Sequence, residues 1–367
     1  MTRALQLAEQ GLYTTQPNPR VGCVIVKDGK VIGEGAHLKA GEPHAEVFAL
    51  RQAGAQAKGA TAYITLEPCN HTGRTPPCSQ TIVEAGIIKV IAAMQDPNPQ
   101  VSGSGLAYLQ AHNIETATGL MQAQAELLNP GFISRMMRSK PFVRSKIAAS
   151  LDGKTALNNG ASQWITSEPA RADVQLWRAR SCAMLTGAGT VLADNPSMLV
   201  RYESFNSMSA TRMDTSLQPM RIIVDSTLKT PPNAKILQGG KVLIAFAQAN
   251  PQKEAALLTA GAELLCIPNS DGKVCLNTLL SHLAAREINE VLCEAGEGLN
   301  GALLAQNMID ELLIYYAPKL MGGAAKSMFA MPALTQMNQT IDLQILDMRQ
   351  IGVDIRLRAK PVFQASL

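Results

Sequence analysis

The sequence predicts an α/β protein in two domains. Three observations carry that expectation. The chain of 367 residues is roughly twice the length of an ordinary domain. Strand-like and helix-like signals alternate through both halves, the pattern of α/β architecture. The rhythm breaks near Ser139 and Pro141, which divides the chain into 1–139 and 140–367.

The first block opens with MTRALQLAEQGLY, an amphipathic helix-like stretch. VGCVIV (Val21–Val26) is a β-branched run closed by the turn KDGK. HAEVFALRQAG reads as a helix stopped by Gly54. TAYITL, IIKVIAAM and IETAT read as strands, with CSQTIVEAG and GLAYLQAH as the helices between them. MQAQAELLNPGFISRMMRSK leads out of the block, and PFVRSKIAAS starts the next as a strand. Helix PARADVQLWRARS precedes strand CAMLTG. RIIVD, KVLIAFA, AELLCIP, INEVLCEA and ELLIYYAP are strands, interleaved with helices PQKEAALLTAG, LNTLLSHLAARE and LNGALLAQNM. DLQILDMRQIGVDIRLRA reads as an antiparallel hairpin, and the polar segment Arg201–Pro219 as a surface loop.

Composition narrows the function. Hydrophobic residues make up 46% and charged residues 17%, enough to bury sizeable cores. The net charge of +4, without a basic run, argues against a nucleic-acid partner and suits a small anionic ligand. The N-terminal stretch lacks the long apolar core of a signal peptide, and no apolar run nears the roughly 18 residues that span a membrane. Seven cysteines, an odd number in a long chain, point to a reducing compartment, the cytoplasm.

Two segments carry chemistry in the first block. GEPHAEVFAL places His44 and Glu46 around one alanine at a helix start, and LEPCNHTGRTPPC holds Cys69 and Cys78 in a proline-rich loop. His-x-Glu followed by Pro-Cys…Cys is the pattern of zinc-dependent hydrolytic deaminases. There His44, Cys69 and Cys78 would bind Zn²⁺ and leave a fourth position for water. Glu46 would move protons without touching the metal. His71, between the cysteines, competes for the imidazole role, but His44 has the companion carboxylate. Eight residues separate the cysteines, where the common deaminase pattern has two.

PNPRVGCVIV, HAE and EPCNHTGRTPPC together resemble the deaminase domain of the bifunctional riboflavin-biosynthesis deaminase–reductase family, in which the longer cysteine spacing is usual. The resemblance runs from Ala4 to about Arg138 and continues into the second block. It implies a cytidine-deaminase-like N-terminal domain. It places Asn18 on the pyrimidine, and His71, Thr72 and Arg74 along the pocket, with Arg74 near a phosphate. On the residues alone, Asn18 reads equally as a turn residue between prolines, and Arg74 as a solvated loop arginine.

In the second block, CEAGEGLNGALL sets Gly296, Gly298 and Gly301 between a strand and a helix. Such glycines admit a phosphate to a helix N-terminus or simply form a tight packed turn. The acidic residue that a dinucleotide fingerprint carries about 20 positions on is absent near Met321. SKIAASLDGKTA, SQWITS, GAGTVLADNP and CEAGEGLNGALL resemble the reductase domain of the same family, which is dihydrofolate-reductase-like in fold. By that resemblance Ala148, Trp164, Thr190, Asp194, Ser226 and the run Gly296, Glu297, Gly298, Leu299, Asn300, Gly301 and Ala302 lie along NADPH. Lys146, Asp152, Ser162, Arg178, Arg201 and Glu294 face the sugar phosphate, and either Asp152 or Glu294 assists opening of the sugar ring. Taken singly, Trp164 reads as a core anchor, Arg178 as a solvent-facing helix residue, and Asp152 and Asp194 as turn residues.

The family performs consecutive steps of riboflavin synthesis. The first is hydrolytic deamination of 2,5-diamino-6-(5-phosphoribosylamino)pyrimidin-4-one. The second is NADPH-dependent reduction of the ribosyl side chain of 5-amino-6-(5-phosphoribosylamino)uracil to ribityl. The expected partners are therefore Zn²⁺, NADPH and a small phosphoribosylaminopyrimidine, with no nucleic acid and no membrane, in a homo-oligomer. Two rival readings share the zinc: a deaminase acting on a flipped base in a nucleic acid, and a regulator whose metal is purely structural.

Overall fold

The computed structural model describes residues 1–70, 77–99, 101–204 and 214–363. They fall into two compact units, one built on Met1–Lys140 and the other beginning at Pro141.

The first unit runs α1 (Thr2–Glu9), β1 (Gly22–Lys27), β2 (Lys30–Ala36), α2 (Ala45–Ala53), β3 (Thr61–Ile64), α3 (Cys78–Glu84), β4 (Lys89–Ala92), α4 (Ser104–Ala111), β5 (Glu115–Thr118), α5 (Gln122–Leu128) and α6 (Pro130–Arg138). Its strands form one sheet in the order β2-β1-β3-β4-β5. β1 is antiparallel to both neighbours, whereas β3, β4 and β5 are parallel. Ile25, Ile64, Val90, Ile82 and Leu109 fill the core between sheet and helices. Strand β2 was not expected, because its sequence KVIGEGA has no clean apolar alternation. Its glycines explain both facts. A Cβ on Gly35 would lie 2.0 Å from the Ala45 carbonyl oxygen, and one on Gly33 2.2 Å from that of Ala49. Helix α2 therefore rests on β2 backbone to backbone, which only glycine permits.

The second unit runs β6 (Phe142–Ser150), β7 (Lys154–Ala156), α7 (Glu168–Arg180), β8 (Ala183–Gly187), α8 (Ala188–Asp194), β9 (Met220–Val224), β10 (Val242–Phe246), α9 (Pro251–Thr259), β11 (Glu263–Cys266), α10 (Leu276–Ala285), β12 (Glu290–Cys293), α11 (Glu297–Ala305), β13 (Glu311–Ala317), β14 (Lys326–Ser327), β15 (Asp342–Ile351) and β16 (Asp354–Val362). Nine strands form the main sheet, ordered β11-β10-β9-β8-β12-β6-β13-β16-β15. It is parallel from β11 to β13, and the β15–β16 hairpin adds antiparallel to its edge. Neighbouring residues along a strand point to opposite faces. Here both faces are covered: Leu185, Ile222, Leu243 and Leu312 enter one core, and Met184, Ile223, Ile244 and Leu313 the other. That double burial is why these strands read as unbroken apolar runs.

At the opposite end from the cavity described below, Arg144 lies fully buried between two carboxylates. Its Nη1 is 3.2 Å from Glu290 Oε2 and its Nε 3.1 Å from Glu311 Oε1, which also takes Arg358 Nε at 2.7 Å. Burial pushes the Glu311 carboxyl up, but Arg144 and Arg358 prevail and hold it at about 2. Among the described residues, no helix is long and apolar enough to cross a membrane.

Candidate active sites

In the first unit, His44 is the extended N-cap of α2, so its ring leaves the helix start while Glu46 sits in the first turn. Cys78 is the first residue of α3, behind Pro77. Cys69 follows β3 through Leu66, Glu67 and Pro68. His44 Nδ1 lies 3.6 Å from Cys69 Sγ and 3.3 Å from Cys78 Sγ. The three donor atoms fall within 4.8 Å of one another, the only such metal-ligating trio among the described residues.

These distances fit an ion. A tetrahedral zinc with Zn–S near 2.3 Å and Zn–N near 2.05 Å sets sulfur and nitrogen about 3.6 Å apart. The electrostatics agree. Hydrogen bonding from Cys78, aided by His44, pulls the Cys69 thiol well below its usual value despite its burial, while donation to Cys69 and burial push Cys78 up. A dithiol sharing one proton beside an imidazole is poised to exchange that proton for a cation.

Glu46 is buried, 4% exposed, and its Oε2 has no hydrogen-bond partner. Burial, reinforced by the Cys69 charge, raises its carboxyl above the usual range. A buried carboxylate oxygen without a partner is costly, and beside a ligand trio it is suited to carry protons.

Asn18 joins this centre through a residue that the sequence did not single out. The Pro43 carbonyl can only accept, so His37 Nδ1, 3.2 Å away, carries the ring hydrogen. Nε2 is then an acceptor, and Asn18 Nδ2 donates to it at 3.1 Å. The His37 ring is buried and stands edge-on to His44, with centroids 5.3 Å apart. Asn18 thus has its amide orientation set, rather than acting only as a turn residue. His37 lies just beyond β2, the strand that was not anticipated, so no motif framed it. His71, Thr72 and Arg74 lie outside the described residues.

In the second unit, a cavity of about 1180 Å³ opens beyond the carboxyl ends of the parallel strands, where open α/β sheets bind ligands. It gathers Lys146, Ala148, Ser162, Trp164, Arg178, Thr190, Asp194, Arg201, Ser226, Glu294, Gly296, Glu297, Gly298, Leu299 and Ala302. Three expected residues are not among its walls, each for a physical reason. The Asp152 carboxylate is occupied by Ser150 Oγ and by the Met321 and Gly322 amides. Asn300 is buried, and its side chain bonds to Ser145 Oγ at 3.0 Å and the Ala295 carbonyl at 2.9 Å, tying α11 to the sheet. A Cβ on Gly301 would lie 2.2 Å from the Ala330 carbonyl oxygen, so this glycine serves packing.

Gly296 and Gly298 differ from Gly301: a Cβ on either meets nothing within 4 Å. The α11 start is open to the cavity, a cradle that fits a cofactor phosphate. Trp164 is 62% exposed, with the Arg171 guanidinium 4.5 Å over its ring, so it is no core anchor. Arg178 is not a solvent-facing residue either. It grips Glu294 through two bonds, Nε–Oε1 at 2.7 Å and Nη2–Oε2 at 3.0 Å. Lys146 Nζ stands 3.8 Å from the same carboxylate. Burial pushes Glu294 up, yet Arg178 and Lys146 hold it at about 2. Burial also pushes the Lys146 ammonium down. Arg201, read as the start of a surface loop, lines the cavity, its backbone amide held by Gln175 Oε1 at 3.0 Å. Helix α8, hidden in the small-residue run GAGTVLAD, was not anticipated and brings Thr190 and Asp194 to the same wall.

Comparison with known proteins agrees with both halves. Residues 1–94 match the cytidine and deoxycytidylate deaminase zinc-binding region, and residues 141–357 match the RibD C-terminal domain. The chain is 46% identical over 360 residues to the riboflavin biosynthesis protein RibD of Escherichia coli, covering 97% of each. It is 46% identical over 363 residues to that of Haemophilus influenzae, covering 98% of this chain and 96% of the relative. A solved Acinetobacter baumannii RibD superposes with a TM-score of 0.90 at 45% identity, over 99% of this chain and 98% of that one. A Thermotoga maritima diaminohydroxyphosphoribosylaminopyrimidine deaminase/5-amino-6-(5-phosphoribosylamino)uracil reductase superposes with a TM-score of 0.84 at 31% identity, over 99% and 97% of the two chains. With a ligand trio and an orphaned carboxylate in one unit, a glycine-opened cavity in the other, and relatives matched along almost the whole length, the chain belongs to the RibD family of bifunctional riboflavin-biosynthesis deaminase–reductases.

Proposed function

We propose that residues 1–139 deaminate 2,5-diamino-6-(5-phosphoribosylamino)pyrimidin-4-one and that residues 140–367 then reduce the ribosyl chain of 5-amino-6-(5-phosphoribosylamino)uracil to ribityl. The observation that carries the reading is the unpartnered Glu46 Oε2 beside His44, Cys69 and Cys78. Those three side chains would hold zinc, which when bound would supply the Lewis acidity to make a water nucleophilic near neutral pH. Glu46 accepts the proton of the attacking water and returns it to the departing amine, which leaves as ammonia. Asn18, oriented by His37, holds the pyrimidine, with His71 and Arg74 completing the pocket.

In the second unit the cavity would hold NADPH, which would supply the hydride. The open start of α11 at Gly296 and Gly298 would receive its phosphates, and Ala148, Trp164, Thr190, Asp194 and Ser226 would lie along it. Of the two acids expected to assist ring opening, Glu294 lines the cavity and Asp152 does not, which favours Glu294 as the assisting group. Opening requires a proton on the ring oxygen before C1′ can accept hydride. Lys146 lines the cavity and is made more acidic by burial, which supports it as the donor, with Glu294 balancing its charge. Arg178 fixes Glu294, and Arg201, which lines the same cavity, meets the substrate phosphate.

A cytoplasmic setting belongs to the same reading, since thiolate ligands require reduced cysteines, and so does a small-molecule substrate rather than a nucleic acid. We also infer a homo-oligomer: β15 forms an open sheet edge on which Ile345 is 56% and Met348 68% exposed, an edge that solitary proteins usually blunt.

The test uses two readouts, ammonia release and loss of NADPH absorbance. The parent protein should show both on the diamino substrate. Glu46→Gln should keep its zinc, lose deamination by about 10²–10⁴-fold, and still oxidise NADPH when given deaminated substrate. If Glu46→Gln stops that reduction in a folded protein, a shared active site must replace the two-site reading.

A further inference from the structure

Glu67 touches none of the reacting groups assigned above, yet it lies at the joint that carries Cys69. It is buried, 3% exposed. Its carboxylate receives four backbone N–H groups. Oε1 accepts from Gly105 at 2.9 Å and Leu106 at 3.3 Å, and Oε2 accepts from Asp96 and Gly103, each at 3.0 Å. An ionised carboxylate offers about four lone-pair sites, and here all are used. Three of the donors belong to the start of α4, whose N-cap, Gly103, has no side chain to cap it. Glu67 caps that helix from a distant part of the chain.

The grip continues to the cysteines. Only Pro68, with its fixed φ, separates Glu67 from Cys69. Gly105 lies so close to Pro68 that a Cβ there would be 2.0 Å from the Pro68 carbonyl oxygen. From the same helix start, the Ser104 carbonyl accepts Asn70 Nδ2 at 3.3 Å. Asn70 Oδ1 accepts Ser79 Oγ at 2.7 Å, and Ser79 N donates to the Cys69 carbonyl at 3.1 Å. One carboxylate thus anchors the α4 start against which both cysteine segments, Pro68–Asn70 and Cys78–Ser79, are braced.

We propose that Glu67 is the positioning residue of the metal centre: by holding the start of α4 against Pro68, it sets where the Cys69 and Cys78 sulfurs stand relative to His44. The inference rests on the zinc reading above. Glutamate suits the role because glutamine would turn an NH₂ toward two peptide N–H groups, leaving them unpaired and pushing the joint apart.

The test compares full-length parent, Glu67→Gln and Asn70→Ala. Zinc affinity is read by competition with a chromophoric chelator. Cobalt(II) substitution reports thiolate ligation through its sulfur-to-metal absorption. Reduction of deaminated substrate and circular dichroism serve as folding controls. Glu67→Gln should bind zinc about 10–100-fold more weakly, the usual effect of losing a partner that orients a ligand, and its cobalt spectrum should change. Asn70→Ala, which cuts one strut and leaves the four carboxylate bonds, should shift affinity in the same direction by less. Parent-like zinc affinity and cobalt spectrum in Glu67→Gln, even with lower thermal stability, would overturn the proposal and leave Glu67 a fold stabiliser. Should Glu67→Gln not fold, unchanged zinc affinity in Asn70→Ala would overturn it. A parent protein that binds no zinc would instead overturn the metal reading itself.

Discussion

Gly298 and Gly301 are three residues apart on one helix, and replacing each by alanine should move stability in opposite directions. At Gly298 a Cβ enters open space. The substitution removes a helical glycine and should stabilise the unit by about 0.5–1 kcal/mol, or about 2–4 °C per kcal/mol for a unit of this size. The same methyl group occupies the cradle at the α11 start. If it displaces one charge-assisted bond between a cofactor phosphate and a backbone N–H, about 1.5–3 kcal/mol is lost, a rise of about 10–100-fold in the Kd for NADPH. At Gly301 the Cβ would stand 2.2 Å from the oxygen and 2.9 Å from the carbon of the Ala330 carbonyl. These are backbone atoms that cannot swing aside, and overpacking of this kind costs about 1–3 kcal/mol. The protein's two tryptophans, Trp164 and Trp177, both belong to this unit, so tryptophan fluorescence on heating reports it selectively, and NADPH titration gives the affinity. If Gly298→Ala binds NADPH within twofold of the parent, the assignment of this glycine to the cofactor is wrong; if it melts lower, the side chain does not enter open space.

Purified protein should carry about one zinc per chain, and Cys78→Ser should lose metal and deamination together; full zinc in a His44→Ala, Cys69→Ser, Cys78→Ser triple variant would place the ion elsewhere. The second unit should weaken in acid. Glu294 and Glu311 are held at about 2 in the fold, below the roughly 4.3 of an unfolded glutamate, so the unfolded chain binds more protons and stability rises with pH. Their contribution should be complete above about pH 4.3 and lost as pH falls toward 2. Glu311→Gln should flatten that dependence, and an unaltered acid profile would show that the Arg144–Glu311–Arg358 cluster does not set it.

Much of this architecture was legible because the signals were local. The parallel strands announced themselves as apolar runs because both their faces are buried. His44, Glu46, Cys69 and Cys78 could be read because each sits in a short segment whose neighbours frame it. What escaped depended on contacts distant in sequence. Strand β2 was missed because Gly33 and Gly35 answer to helix α2 rather than to strand propensity. The three glycines of the α11 run look equivalent in sequence, and only the position of Ala330 separates the packing glycine from the two that face the cavity. Asp152 read as a sugar-facing acid, but its partners, Met321 and Gly322, come 169 and 170 residues later. Glu67 was invisible for the same reason: its donors come 29 to 39 residues downstream.

The backbone contact at Gly35 bears on how genetic data for this enzyme would read. Ala45 lies between His44 and Glu46, the ligand and the acid of the proposed deaminase site, and its carbonyl oxygen would be 2.0 Å from any Cβ at position 35. Substitutions there must lift the start of α2, carrying both functional side chains with it. In a growth screen without supplied riboflavin, Gly35 would score as severely as the metal ligands, although it meets neither metal nor substrate. Given the deaminated intermediate in a cell lysate, Gly35 and Glu46 variants alike would still oxidise NADPH, so phenotype alone would merge a scaffold position with a proposed catalytic one.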